Sequence, residues 1–351
     1  MPTATKTVQG VELEKKLQAI LETIERERER EIIARRFGLY DRKETLEQIG
    51  ELLGITRERV RQLEKVVIGK LKQAGKNGEL PGLAETEQAI IDVLDTNGNA
   101  MRVLQLAELL YSTNDKITQA RVAFVATLAP LLDTIEENDH FYSSVTQNQV
   151  LTSAKAKEKA LEIVTAIKAH GSPVNAKEIA LAVNNDNVQQ VQALASTSKA
   201  LATLNGYWGL IKWPTVNPKN IRDKIYVILS ENGSHMHFNQ ISEAIKLSDF
   251  KRKDVTTQAI HNELIKDKRF VLIGRGIYAL QEWGYKKGTV ADIITEVMQE
   301  ADEPLHRDEI VKRVLKKRHV KETTILLNLQ GKPQFKRVAK ATYIFDESAI
   351  S

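Results

Sequence analysis

The sequence contains no cysteine and few aromatic residues. Without cysteine there is no disulfide framework, no thiolate zinc site and no cysteine nucleophile. Aromatic residues make up 5% of the 351 residues, whereas hydrophobic residues as a whole make up 42%. The chain can therefore build packed cores, and its length allows two or three average domains or a larger number of small ones. This profile favours several small helical units over one large sheet enzyme.

Membrane and export signals are also missing. No apolar run approaches the length of a transmembrane helix, and the opening residues, MPTATKTVQG, lack the apolar core of a signal peptide. We therefore expect a soluble cytoplasmic protein with no membrane partner. The formal net charge is +5, from 51 basic and 46 acidic residues. An anionic partner would therefore be recognised by local clusters rather than by bulk charge.

The motifs of common enzymes do not occur. There is no nucleophile elbow, P-loop, Rossmann fingerprint or zincin motif. The seven histidines show no zinc spacing, and we interpret His235 and His237, one residue apart, as ordinary turn residues. We expect no enzymatic activity, no metal and no cofactor.

The first 80 residues show helical patterns. Apolar spacing from Val11 to about Phe37 predicts one helix that ends at Gly38. The stretch TLEQIGELLGITRERVRQLEKVVIGKLK (residues 45–72) holds two further patterns separated by a glycine. Thr45 with Gln48 matches a capping box, and a threonine also precedes the second helix. Two short helices joined by a tight turn form a helix-turn-helix, whose second helix enters the major groove.

The second helix of this motif carries a charged face. Val60, Leu63 and Val67 recur at helical spacing and define a buried stripe. Five polar residues near the helix N-terminus fall outside the stripe: Arg57, Glu58, Arg59, Arg61 and Gln62. A solvated charged face is the default interpretation of such a pattern. A face that contacts bases is the alternative.

A degenerate repeat follows. The elements NAMRVLQLAELL, SPVNAKEIALAV, SHMHFNQISEAI and EPLHRDEIVKRV each place two apolar residues five positions apart. An aromatic, strand-like segment follows each element about thirty to forty residues later: HFYSS, GYWGL, GIYAL and ATYIF. A winged helix has this layout: one helix, a short extended segment, two further helices and a hairpin. We predict that Tyr142, Trp208, Tyr278 and Tyr343 lie on the last strand of each unit and serve as core aromatics.

These patterns predict a mainly α fold, with a helix-turn-helix domain followed by about four tandem small winged-helix (α+β) domains. The predicted domains are residues 1–78, 83–148, 152–214, 218–285 and 286–351. Segment 73–82 is predicted to be a linker because it is rich in turn formers. Further breaks are predicted at residues 143–153, 213–220 and 283–289.

The N-terminal part resembles region four of bacterial housekeeping sigma factors, through residues 28–39, 45–64 and 70–72. The resemblance implies that Arg57, Glu58, Arg61 and Gln62 contact base edges, and that Thr45, Thr56 and Arg59 support the helices or contact phosphate. Arginine can donate two hydrogen bonds to guanine, glutamate can accept a hydrogen bond from the amino group of cytosine, and glutamine can form two hydrogen bonds with adenine. Val66 and Gly69 stand where the family usually has basic residues. Nothing resembles the sigma segments that melt DNA or bind the polymerase clamp, so a complete initiation factor is not expected.

Residues 221–283, above all RFVLIGRGIYAL, resemble HARE-type winged helices and the N-terminal domain of the RNA polymerase delta subunit. This resemblance implies association with nucleic acid or polymerase. In a winged helix the third helix usually enters the groove and the hairpin contacts the backbone. For this unit that geometry nominates Thr256, Thr257, Gln258 and His261 on the third helix and Arg275 at the wing tip. Gly274 and Gly276 are predicted to adopt positive φ in the turn.

The fourth unit is the most basic. It contains KRVLKKRHVK (residues 312–321) and then Lys332, Lys336, Arg337 and Lys340. We predict phosphate contacts here, with solvating lysines as a nearly equal alternative. The first unit carries the acidic stretch LLDTIEENDH (residues 131–140), which argues against DNA contact and for a protein-facing or structural role.

The leading functional hypothesis is a nucleoid-associated, non-enzymatic transcriptional regulator that binds double-stranded DNA and has RNA polymerase core as a further partner. One alternative is a polymerase-associated accessory factor with incidental DNA affinity. Another is the DNA-recognition part of a restriction or defence system.

Overall fold

The computed structural model describes residues 3–250, 254–285, 288–301 and 303–349, with side chains from residue 12 onward. The described part is mainly helical, and its strands form four three-stranded sheets. The chain divides into an N-terminal unit, Met1–Ile211, and a C-terminal unit, Lys212–Ser351. The predicted fold class, a helix-turn-helix followed by four small winged helices, is confirmed.

Four helices open the chain: α1 (Thr3–Glu22), α2 (Glu27–Phe37), α3 (Leu46–Leu53) and α4 (Arg57–Lys76). The prediction of one helix from Val11 to Phe37 is wrong, because the chain leaves the helix between α1 and α2. The Thr23 hydroxyl donates to the Ile20 carbonyl at 2.7 Å and closes α1. Ile24 then turns into the core. Gly38, at φ +68°, ends α2 as predicted.

The caps of the helix-turn-helix form as predicted. The Thr45 hydroxyl accepts from the Gln48 backbone N–H at 3.3 Å, and the Gln48 side chain accepts from the Thr45 N–H at 2.9 Å. The Thr56 hydroxyl accepts from the Arg59 N–H at 3.2 Å. Helix α4 has 20 residues, so it is not short. It extends through Gly69 and into the segment predicted to be a linker.

The N-terminal unit continues with two winged helices. The first comprises α5 (Leu83–Thr96), β1 (Ala100–Arg102), α6 (Val103–Tyr111), α7 (Lys116–Leu128), β2 (Leu132–Ile135) and β3 (Ser144–Gln147). The second comprises α8 (Ser153–His170), β4 (Val174–Asn175), α9 (Ala176–Ala182), α10 (Val188–Thr197), β5 (Leu201–Leu204) and β6 (Tyr207–Leu210). In each sheet the last strand lies in the middle.

The C-terminal unit repeats the order twice. The third winged helix comprises α11 (Ile221–Asn232), β7 (Met236–His237), α12 (Phe238–Leu247), α13 (Thr257–Lys266), β8 (Phe270–Gly274) and β9 (Ile277–Leu280). The fourth comprises α14 (Val290–Ala301), β10 (Leu305–His306), α15 (Arg307–Lys317), α16 (Glu322–Gly331), β11 (Phe335–Ala339) and β12 (Thr342–Phe345).

The repeat sets the strand register. The first apolar residue of each repeated element pairs with the middle strand, and three of the predicted aromatics are its partners: Val174 with Trp208, Met236 with Tyr278 and Leu305 with Tyr343. In the first winged helix, Met101 pairs with Val145 instead. The placement of Tyr142 on the last strand is therefore wrong. The break predicted at residues 143–153 is also wrong in part, because it contains β3.

The helix-turn-helix and the first winged helix share a core. Phe124 of α7 is fully buried, and its ring meets that of Phe37 edge-on, with centroids 4.9 Å apart. Arg121, also on α7, donates to the Leu39 carbonyl at 2.9 Å and pairs with Glu14 at 3.1 Å. The third helix of this winged helix is thus covered by the chain's own N-terminal helices.

The acidic wing of the first winged helix faces the second one. Glu137 pairs with Lys199 at 2.8 Å, and the backbone N–H of Tyr142 donates to the Thr197 carbonyl at 2.9 Å. The Arg102 guanidinium lies 3.9 Å from the centre of the Tyr142 ring. These contacts support the structural role predicted for residues 131–140.

Helix α7 begins at a carboxylate cap whose charge state sets a pH dependence. Burial raises the pKa of Asp115, but hydrogen bonds from Thr118, Thr113 and Ile117 outweigh burial and bring that pKa to about 2. A carboxyl with a depressed folded pKa stabilises the fold above its unfolded pKa, and this contribution is lost as pH falls towards the folded pKa.

We therefore expect Asp115→Asn to flatten the fall in the free energy of unfolding between about pH 4 and pH 2, as measured by urea unfolding. At neutral pH the substitution should cost less than about 1 kcal/mol, since asparagine also caps helices. Asp139→Asn, on an exposed loop, removes the same charge without a cap. An equal flattening in this control would contradict the assignment.

Candidate nucleic-acid interface

The five polar residues predicted at the front of α4 lie together on its outer face. Arg57, Glu58, Arg59, Arg61 and Gln62 are all exposed, whereas Val60 on the opposite side is fully buried. The Arg57 side chain is 67% exposed. Val60 packs with Ile32 and Ile49 in a small core that joins α2, α3 and α4. The polar face is therefore supported by a core that three helices share.

These polar side chains pair with one another in the free protein. Two nitrogens of Arg61 donate to the two carboxylate oxygens of Glu58, at 2.9 and 2.7 Å. This pair lowers the pKa of Glu58 and raises that of Arg61. Arg57 pairs with Glu47 of α3 at 2.9 Å. Arg59 donates to the side-chain oxygen of Gln62 at 3.3 Å.

The supporting residues act through the backbone. Thr45 and Thr56 direct their hydroxyls at the first turns of α3 and α4, as the caps require. Two contacts that the sequence did not reveal join α2 to the motif. Arg36 pairs with Glu64 of α4 at 3.2 Å, and the Arg28 guanidinium donates to the Leu53 carbonyl.

In the third winged helix, the predicted contact residues differ in exposure. Thr256 caps α13, accepting from the Ala259 N–H at 3.2 Å, and is exposed, as is Gln258. The Thr257 hydroxyl lies 3.2 Å from that of Ser242. His261 is half-buried, with its ring centre 5.1 Å from that of Phe238.

The wing tip of this unit carries Arg275, which is exposed. Gly276 has φ +69°, as predicted. The same prediction is wrong for Gly274, which does not adopt positive φ. A Cβ at Gly274 would lie 3.1 Å from the carbonyl oxygen of His319. Close backbone approach, rather than turn geometry, therefore favours glycine there.

In the fourth winged helix, the predicted cations fall into two groups. Lys332, Lys336, Arg337 and Lys340 are exposed, on β11 and the turns at its ends. The run at residues 312–321 is different. Arg313 pairs with Glu309 at 2.7 Å, and Lys317 pairs with Glu300 at 2.6 Å. Arg318 donates to the Gly288 carbonyl. Phosphate contact by this stretch stays a prediction, since Lys312, Lys316 and Lys321 are exposed.

Two of the histidines cap helices. The Nδ1 atoms of His237 and His306 accept backbone N–H groups at the starts of α12 and α15, each at 3.3 Å. In the described part of the chain, no three histidine, aspartate or glutamate side chains converge as a metal ion would need. Within the same ranges, every helix is too short or too polar to cross a lipid bilayer.

Comparison with known proteins places a family match on this interface. The family model for Sigma-70, region 4 matches residues 26–73, which contain α2, α3 and most of α4. The chain is 39% identical over 74 residues to RNA polymerase sigma factor SigA of a Bacillus species, and 48% identical over 54 residues to RNA polymerase sigma factor sigB of Arabidopsis thaliana. It is 42% identical over 69 residues to RNA polymerase sigma factor SigA1 of Synechococcus elongatus.

The chain aligns with only a small part of each of these relatives. The aligned segments cover 21%, 15% and 19% of the chain and 19%, 9% and 17% of the respective relatives. The resemblance of the helix-turn-helix to sigma region four is confirmed. The resemblance of residues 221–283 to HARE-type domains stays a prediction.

Proposed function

We propose that the chain is a DNA-binding transcriptional regulator whose helix-turn-helix recognises a promoter-like element. The observation that carries the proposal is the exposed polar face at the front of α4, lying inside the segment that matches Sigma-70, region 4. The aligned relatives are sigma factors of RNA polymerase by name. DNA binding by this segment needs no catalytic group. A DNA-binding role also fits a nucleoid-associated protein.

The side-chain chemistry supports direct contact with bases. Arg57 and Arg61 can each donate two hydrogen bonds to guanine, and Gln62 can pair with adenine. Glu58 is informative because a carboxylate facing the phosphate backbone is unfavourable unless it accepts from cytosine. We assign Arg59 to phosphate or to the support of Gln62.

The ion pairs of the free protein can be exchanged for base contacts at low cost. An exposed salt bridge such as that between Arg61 and Glu58 stabilises only weakly, because water and salt screen both charges. A bidentate arginine–guanine contact discriminates by about 1–3 kcal/mol. On the correct sequence the exchange is favourable, whereas on a wrong base Arg61 stays with Glu58. The internal pair would thereby sharpen specificity.

The winged helices would add contacts to DNA or to RNA polymerase. In the third winged helix, Gln258 and Arg275 are exposed and remain candidates for DNA contact, together with the cap residue Thr256. We assign Thr257 and His261 to its packing. The HARE-type resemblance of this unit makes polymerase the second candidate partner.

Arg61→Ala and Gln62→Ala test base recognition. After in-vitro selection of a DNA site with the full-length protein, each substitution should cost about 1–3 kcal/mol on the selected site and much less on a random duplex. Lys72→Ala, an exposed position eleven residues after Arg61 on the same helix, is the matched control. Fluorescence anisotropy with both duplexes gives the comparison.

Equal losses on selected and random DNA would contradict base recognition. The second candidate function is a polymerase-associated accessory factor. It is supported by the aligned relatives, which are sigma factors of RNA polymerase by name. Co-purification with polymerase after nuclease digestion, without a selected DNA motif, would support it.

A further inference from the structure

The edge strands of the four sheets differ in charge although they occupy the same place in the fold. In every sheet the strand before the last one lies at one edge and forms the outer part of the wing. The sequences are LDTI in β2, LATL in β5, FVLIG in β8 and FKRVA in β11. Only the strand of the fourth winged helix carries cations among these four.

Strand β11 is also the most exposed of the four. Phe335 at its start is buried, and each of the next four residues is exposed. The strand β8 of the third winged helix has four buried or half-buried residues among its five. A strand exposed on both faces extends beyond the core, so its side chains can reach a partner on either side.

The cations of this wing are weakly neutralised. Lys336 lies 4.0 Å from Asp346, at the outer limit of an ion pair. Arg337 donates to the neutral carbonyl of Ala339 at 3.1 Å. Among the described residues, neither Arg337 nor Lys340 forms an ion pair. The cations of α15 are different, since Arg313 and Lys317 are each held by glutamate.

Helix α16, the third helix of the same unit, lacks the features of a groove-binding helix. Its sequence, ETTILLNLQG, contains no cation and begins with Glu322. Leu327 is 68% exposed on its surface. An exposed leucine would offer no hydrogen bond to a base edge, and the helix has no arginine or lysine to contact guanine or phosphate.

We propose that the wing formed by β11 and its turn to β12 binds the phosphate backbone of duplex DNA without recognising sequence, and that α16 does not enter a groove. This inference rests on the proposed DNA-binding function. Arg337 and Lys340 are the principal contacts, with Lys336 in support. Lys332 contributes less, since it lies close enough to Asp292 to help lower the pKa of that carboxyl. The wing would then anchor the chain on DNA near a site selected by α4.

Salt dependence of binding tests this assignment. Each phosphate contact made by a cation contributes about 0.9 to the slope of log affinity against log salt. The pair Arg337→Gln/Lys340→Gln in the full-length protein should therefore flatten the slope on a random duplex by about 1.8. It should weaken binding to random and selected duplexes by the same factor. Lys340→Gln alone, at an exposed turn, should flatten the slope by about 0.9.

Three matched variants make the test specific. Lys312→Gln/Lys316→Gln removes two exposed charges from α15 of the same winged helix and should change the slope by less than half as much. Arg337→Lys/Lys340→Arg keeps both charges and should keep the slope. The triple variant Thr323→Ala/Leu327→Ala/Gln330→Ala alters the exposed face of α16 and should leave both binding and slope unchanged.

The proposal is overturned if the α15 pair flattens the slope as much as the wing pair, or if the α16 variant weakens binding as strongly. It is also overturned if Lys340→Gln leaves the slope unchanged in a protein that melts like wild type. Failure of base recognition is detected separately, because Arg61→Ala is judged by sequence preference, whereas the wing is judged on random DNA.

Discussion

Phe124→Ala is expected to reduce the free energy of unfolding of the N-terminal unit by about 3–5 kcal/mol. The side chain is fully buried in a core that also contains Leu17 of α1 and Leu71 of α4. Its removal leaves a cavity and deletes the edge-on contact with Phe37. Because α4 contributes to this core, the helix-turn-helix and the first winged helix should lose stability together. Urea unfolding followed by circular dichroism measures the change.

Leu181→Ala is the control for this substitution. Leu181 lies on α9 of the same unit and is 78% exposed, so its truncation should change stability by less than about 0.5 kcal/mol. Amide hydrogen exchange supplies the decisive readout. If Phe124→Ala left the protection of α3 and α4 intact while the winged helix opened, the two parts would not share a cooperative core.

Local features of the fold could be predicted from the sequence because their causes are local. The capping box of Thr45 and Gln48 spans three residues, and the structure contains both of its hydrogen bonds. The apolar periodicity that defined the repeat also fixes the strand register, as the pairing of Val174 with Trp208 shows. Such patterns report which side chains point inward within one small unit.

The assembly of these units depends on contacts between residues distant in sequence. Arg121 binds the Leu39 carbonyl across 82 positions and Glu14 across 107 positions. A repeat shows the residues that its copies have in common, and this arginine is not one of them. For that reason the burial of α7 could not be foreseen. The helix break before α2 escaped prediction because the charged residues around Arg26 are individually compatible with a helix.

The candidate interface was predicted in part. The exposure of the α4 face follows from helical periodicity alone, since Val60 must be buried. Helical periodicity does not predict the ion-pair partners of these charged residues, because Arg57 pairs with Glu47 on another helix. The basic run at residues 312–321 illustrates the same limit, since two of its cations, Arg313 and Lys317, form ion pairs within the unit. Sequence identifies a charged segment, whereas structure decides which charges remain available to a partner.

Gly50→Ala is expected to open the turn of the helix-turn-helix and to cost about 3 kcal/mol. A Cβ at this buried glycine of α3 would lie 2.7 Å from the carbonyl oxygen of Ile55. The clash is with backbone, so no side-chain rotation relieves it. Because the strain is released by moving the start of α4, binding to the selected duplex should fall by more than the loss of folded protein accounts for. Urea unfolding and anisotropy on the same preparation separate the two effects.

Gly69→Ala separates this clash from the general effect of removing a glycine from a helix. Gly69 lies in α4, and nothing lies within 4 Å of a Cβ added there. Alanine has the higher helix propensity, so this substitution should stabilise the protein by about 0.5–1 kcal/mol and leave sequence preference unchanged. If both variants behaved alike, the close approach of α3 to Ile55 would not determine the motif. If they behave in opposite directions, Gly50 sets the angle between α3 and α4 and, through that angle, the orientation of the exposed face that carries Arg61.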